Sequence, residues 1–99
     1  MYAIVNHLQF SKPVDDFKEI VLNDGMPFLS THAGFIDFHF IKVDEYKAIV
    51  LIIWDNAASA QAGAKSFGPT WFATHFKPFL VGEENRSTGE LIASTYKTQ

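Results

Sequence analysis
The stretch Lys47-Ala48-Ile49-Val50-Leu51-Ile52-Ile53-Trp54-Asp55-Asn56 decides how this chain folds. From Ala48 to Ile53 it is apolar without alternation, the pattern of a strand covered on both faces, as an inner strand of a two-sided sheet is. The run Ala48 to Trp54 is only seven residues long, far short of the roughly twenty that span a bilayer. Upstream, Asp44 and Glu45 make a turn. Before it lies a second strand beginning near Phe35, with Ile36, Phe38 and Phe40 on one parity and Phe35, Asp37, His39 and Ile41 on the other. Downstream, Asp55 or Asn56 caps a helix of small residues, Ala57 to Lys65, whose alanines permit close approach to a sheet. Gly68 and Pro69 restart a helical segment, Thr70 to Leu80, in which Phe72, Phe76, Phe79 and Leu80 recur at helical spacing and Pro78 limits the far end.

The outer parts of the chain complete the pattern. From Tyr2 to Phe10 the even positions Tyr2, Ile4, Asn6, Leu8 and Phe10 form the greasier strand face, and Ala3, Val5, His7 and Gln9 form the other. Pro13, Asp15 and Asp16 open a helix with the stripe Val14, Phe17, Ile20 and Val21. Gly25 and Pro27 are expected to interrupt it, with Phe28 and Leu29 adding a further turn before Ala33 and Gly34 release the chain. Gly82 to Gly89 is the most polar stretch and reads as an exposed loop, followed by a fourth strand from Glu90 to about Lys97. The order strand, helix, strand, strand, helix, strand predicts an α+β domain of ferredoxin-like topology spanning residues 1–99. Its four-stranded antiparallel sheet carries both helices on one face. No sequence repeat relates the halves.

Helices cover only one face of such a sheet. Ala3, Val5, Phe35, Ile41 and half of the third strand would lie on the other. Each large apolar side chain removed from water contributes roughly 1.5–3 kcal/mol when fully buried, so that face predicts pairing with a second copy of the chain, a homodimer. With 99 residues, 47% of them hydrophobic, the chain has material for one packed core. Eight basic residues against eleven acidic ones, with the Lys and Arg scattered singly, make nucleic acid a poor candidate partner, and none is expected. The absence of cysteine removes disulfides, thiolate metal sites and cysteine nucleophiles together. No leader pattern and no membrane segment are visible, and a soluble cytoplasmic protein is expected. No glycine-rich phosphate loop, dinucleotide fingerprint or G-x-S-x-G elbow is present. The four histidines sit on separate elements, so no metal site is expected.

The first strand with its single Asn6, the Ala33-Gly34-Phe35 lead-in to strand two, and Ile53-Trp54-Asp55-Asn56 running into an Ala-rich helix together resemble the antibiotic biosynthesis monooxygenase-like family of dimeric α+β barrels. The resemblance covers nearly the whole chain. It implies a range from cofactor-free oxygenases of aromatic polyketides to heme-degrading enzymes, quinol oxygenases and proteins without known activity, and fold does not choose among them. In the heme-degrading branch the site combines an Asn on the first strand with a Trp and a His on the helical segment after strand three. Asn6 matches that Asn and His75 matches that His. The tryptophan position, about ten residues before the histidine, holds Gly63 to Lys65 here, and Trp71 stands one turn before His75 instead. That departure argues against porphyrin breakdown.

The resemblance and these residue types imply a cofactor-independent monooxygenase acting on a small aromatic, quinol or anthrone-like substrate that supplies its own electrons. His75 would take the ring proton. Asn6 would donate to the oxygen that becomes negative. Trp71, Phe72 and Phe76 would form flat walls, and Phe38 and Trp54 would complete the cavity. Each residue also has a plainer reading: a satisfied structural amide for Asn6, core packing for the aromatic stripe, a half-exposed imidazole for His75. His7 and His39 should face the dimer side, and His32 should lie in a solvated loop. The competing function is a non-catalytic dimer that binds a small apolar ligand or serves assembly. A third reading, a degrader of ring-opened metabolites, would need a His with a carboxylate partner, and Asp37 with His39 could supply that pair.

Overall fold
The computed structural model describes residues 1–95. Four strands, β1 (Tyr2–Gln9), β2 (Phe35–Lys42), β3 (Lys47–Trp54) and β4 (Asn85–Glu90), form one antiparallel sheet in the order β2-β3-β1-β4. This is the ferredoxin-like arrangement, with helices between β1 and β2 and between β3 and β4. No helix among the described residues is long and apolar enough to cross a membrane.

Strand register fixes which side chains face the helices. Ile4, Asn6 and Leu8 of β1 stand opposite Ile52, Val50 and Ala48 of β3, and Phe38 and Phe40 of β2 stand opposite Ile52 and Val50. These positions make one face, and all but half-buried Phe40 are buried. On the opposite face Ala3 and Val5 pair with Ile53 and Leu51. Ile53 is buried there and Val5, Ile49 and Leu51 are half-buried, while Ile41 is exposed. The unalternating apolar run of β3 thus serves both sides of the sheet.

The start of β2 departs from simple parity. A register shift between Phe35 and Asp37 leaves Phe35 opposite Trp54. The Phe35 ring meets the indole edge-on at 5.8 Å, so it joins the helix-side core instead of the open face, and Ile36 is exposed. One extra residue in a bulge exchanges the faces of everything before it. Gly34, just ahead, has φ +81, and a side chain there would run into Asp55 and Ser59. Its carbonyl accepts from the Asp55 amide at 2.8 Å.

Both helices run on where interruption was expected. After a 3-10 turn at Val14–Phe17, helix α1 covers residues 18–30: an α turn, a π segment at Val21–Gly25, and α again at Met26–Ser30. Helix α2 covers residues 57–75, with its π segment at Gly68–Phe72 and a 3-10 turn at Lys77–Phe79 beyond. Pro27 lies just after a π segment and Pro69 within one, where i→i+5 bonding absorbs the hydrogen bond that proline cannot make. In α1 the Met26 amide donates to the Val21 carbonyl across that longer turn. Gly25 is helical, and its function is spatial: a Cβ there would stand 2.8 Å from the Trp71 ring. Asn56 caps α2, its side-chain oxygen accepting from the Ser59 amide at 2.9 Å.

The fourth strand is the largest correction. It lies at Asn85–Glu90, inside the stretch read as a loop, and pairs with β1 from Tyr2↔Glu90 to His7↔Asn85. Leu91 to Thr95 take no regular structure, Ile92 is 89% exposed, and the remainder of the expected strand, Tyr96 and Lys97, lies outside the described residues. An edge strand needs one backbone partner and no apolar face, so a polar sequence suffices. The apolar Leu91-Ile92 pair drew the expectation too far along the chain.

Candidate functional site
At one end of the sheet, aromatic rings fill the layer between sheet and helices. Phe10, Phe17 and Phe76 meet at centroid distances of 4.3–5.4 Å, and Phe40 stacks on Phe76 at 5.6 Å. Phe76 is fully buried, as core, and Phe38 is buried opposite Ile52. Neither Phe38 nor Phe76, both expected at the site, is among the residues that line the cleft described next. They are packing residues because the aromatic stripe of α2 meets the sheet squarely here.

At the other end the layer is not filled. Small residues of α2 bring the helix down onto β3: Ala60 and Gly63 are buried, and Gly63 receives the ring of Trp54, with which any Cβ would overlap. Gly63 to Lys65 is the stretch where the resemblance places the indole of the heme-degrading branch. Here the indole comes from the sheet and the helix supplies the gap. Beside this contact a cleft of about 150 Å³ opens between α2 and strands β1 and β4. Asn6, Trp54 and Phe72, all expected at the site, line it together with Ile4, Phe67, Glu84 and Arg86.

Two residues of the cleft lining carry buried polar atoms without partners. Asn6 is 8% exposed, and its Oδ1 is buried with no hydrogen-bond partner. The Trp54 indole Nε1 is buried and equally without an acceptor. These are the only such buried side-chain atoms among the described residues. Leaving a buried donor or acceptor unpaired costs about 1–3 kcal/mol, and here an acceptor and a donor belong to two neighbouring walls of one hollow.

Trp71 and His75 are brought together, but elsewhere. The Trp71 indole donates to Asp24 Oδ2 of α1 at 2.7 Å, and His75 Nε2 stands 3.6 Å from the same oxygen. The two rings lie 4.7 Å apart, and Trp71 stacks on Phe67. This cluster ties α1 to α2 and is not part of the cleft lining. Asn6 and His75 therefore do not share a hollow, although both lie on the helix side of the sheet. The i, i+4 spacing of Trp71 and His75 was legible. Their common partner forty-seven residues from Trp71 was not.

His32 is half-buried, not solvated as expected. Its Nε2 lies 2.8 Å from Ser66 Oγ and its Nδ1 3.0 Å from the Phe28 carbonyl, which makes it a staple between the end of α1 and α2. On the open face His39 Nε2 pairs with Asp37 Oδ2 at 2.9 Å. Among the described residues no three His, Asp or Glu converge as metal ligands would.

Glu84 and Arg86 were hidden from sequence reasoning by the misplaced fourth strand. Arg86 stands directly across from Asn6 in the β1–β4 register, which puts both on the same face. A signal existed in the alternation of Arg86, Thr88 and Glu90, which takes meaning only once β4 is known to start at Asn85.

No family model matches the chain, and no curated protein matches it in sequence. Solved structures do match in shape. SnoaB, a cofactor-independent oxygenase from Streptomyces nogalater, superposes with a TM-score of 0.77 at 11% identity, covering 97% of each chain. A dimeric ferredoxin-like protein from an uncultured marine organism gives 0.73 at 15% identity, covering 98% of this chain and 100% of its own. MhuD, solved as a variant with two manganese protoporphyrin IX per active site, gives 0.73 at 16% identity, covering 98% and 100%. At such identities the likeness establishes architecture: the chain has the ferredoxin-like α+β fold of the antibiotic biosynthesis monooxygenase-like proteins.

Proposed function
We propose that this chain is the protomer of a homodimeric monooxygenase that oxidises a small aromatic ring, of phenol or quinol type, held in the cleft over Asn6. The observation that carries the reading is the pair of unpartnered buried atoms, Asn6 Oδ1 and Trp54 Nε1, on residues lining that cleft. An acceptor and a donor in an apolar hollow suit a ring oxygen. The Asn6 oxygen accepts from the hydroxyl of the bound substrate, and the Trp54 N–H donates to the anion formed when the proton leaves. In a dry site such a donor stabilises developing negative charge far more than in water. Phe67 and Phe72 flank the ring. The proton passes to water at the open mouth, since His75 is held on Asp24 outside the cleft.

The sequence carries no cofactor motif, so the substrate supplies the electrons. A ring C–H of the phenol, which its keto tautomer presents as CH₂, and O₂ become a ring carbonyl and water, so that phenol gives benzoquinone; one oxygen atom enters the product and the other leaves with the two hydrogens. The fold's cofactor-independent oxygenase supports this reading by analogy. Breakdown of a porphyrin is disfavoured, because a cavity of about 150 Å³ is of the size that holds benzene. The homodimer is supported by the partly apolar open face and by a dimeric protein of this fold.

Oxygen consumption with phenol and hydroquinone tests the proposal. Uptake with release of water and product carbonyl, lost in Asn6→Leu, is expected. Binding of the ring without oxygen uptake would replace it with the ligand-binding reading.

A further inference from the structure
Resting on the cleft reading above, we propose that the natural ligand is a single-ring phenol bearing one acidic substituent, its hydroxyl at Asn6 and its anion at Arg86.

Size sets the first condition. The hollow of about 150 Å³ is closed on one side by the contact of Trp54 with Gly63 and flanked by Phe67 and Phe72. One six-membered ring fills a space of that order, and a fused tricycle does not.

Charge sets the second. Arg86 stands opposite Asn6 on the adjacent strand and lines the same cleft. Neighbouring strands lie about 4.8 Å apart, so a ring whose hydroxyl meets the amide lies within reach of the long arginine side chain. Among the described residues Arg86 forms no ion pair, although Glu84 also lines the cleft. The guanidinium is thus available as a planar donor for a carboxylate. Glu84 repels a second negative charge, which makes the site selective for a monoanion over a dianion. The unpartnered groups of the lining residues Asn6 and Trp54 are uncharged. The ligand is therefore polarised end to end, with a neutral hydroxyl inside and an anion at the lip.

Isothermal titration of the full chain at neutral pH with 4-hydroxybenzoate, 4-methylphenol, 5-hydroxyisophthalate and 1,8-dihydroxyanthrone tests this. The wild type should bind 4-hydroxybenzoate about tenfold or more tighter than 4-methylphenol, the gain from one charge-assisted contact. Arg86→Gln should erase the difference by weakening only the acid, and Arg86→Lys should keep part of it. The diacid should bind more weakly than the monoacid, and Glu84→Gln should narrow that gap. Equal affinity of the wild type for 4-hydroxybenzoate and 4-methylphenol, with both lost in Asn6→Leu, would overturn the anion assignment and leave the cleft reading standing. Tighter binding of the tricycle than of either single ring would overturn the size assignment. Failure of all four ligands to bind, or binding indifferent to Asn6→Leu, would remove the cleft reading itself.

Discussion

Asn6 works against the stability of the fold, whereas Gly63 serves it. The Asn6 oxygen is buried without a partner, so an apolar residue of similar size should relieve that cost. Asn6→Leu is expected to raise unfolding stability by about 1–3 kcal/mol while abolishing ring binding, measured by urea unfolding beside titration. Loss of stability instead would mean that the amide serves the fold. Gly63 presents the opposite trade. Alanine is ordinarily favoured over glycine inside a helix by about 1 kcal/mol, yet a methyl at 63 would overlap the Trp54 ring. Gly63→Ala should therefore destabilise by about 1–3 kcal/mol as overpacking does, seen as a lower urea midpoint with an unchanged slope.

At the scale of elements, the two helices are joined by side chains that sequence reasoning had assigned to chemistry. Trp71 reaches Asp24 of α1 while covering Gly25, so Trp71→Phe keeps most of the packing and loses the bond. A stability loss of about 1 kcal/mol is expected, at the low end for a charged acceptor because Asp24 is half exposed to solvent; ring binding in the cleft should be unchanged. His75 shares that carboxylate, which bears on the pH dependence expected of the proposed reaction. With no imidazole in the cleft, the rate should climb with the ionisation of the substrate and show no inflection near the ordinary histidine value of about 6.5. His75→Ala should superpose on the wild-type profile. A break near neutrality that vanishes in His75→Ala would return the imidazole to the mechanism.

For the molecule as a whole, the open face of the sheet is the feature a single protomer leaves unfinished. Val5 and Leu51 pair across β1 and β3 on that face, half-buried, with Ile41 exposed beside them. An aspartate placed there would stay solvated in a monomer and would be desolvated in a dimer. Sedimentation of Leu51→Asp should show a monomer where the wild type sediments as a dimer. A wild-type monomer across the micromolar range would end the dimer proposal.

How much could be read from the chain alone varies with the kind of force at work. Parity along β1, the unalternating run of β3, the Asn56 cap and the apolar stripe of the first helix are local consequences of residue order, and with the element order they determine a ferredoxin-like domain. Asn6 stood out for the same reason, as one amide on a greasy strand face. Tertiary structure decided the rest. The bulge that turns Phe35 inward and the polar edge strand that brings Arg86 beside Asn6 depend on backbone bonds to distant partners, and the π segments that carry both helices past their prolines are a bonding pattern that side-chain periodicity does not reveal. So does the separation of His75 from the cleft. Helical spacing placed it next to Trp71, but Asp24, arriving from another helix, fixed where the pair would stand.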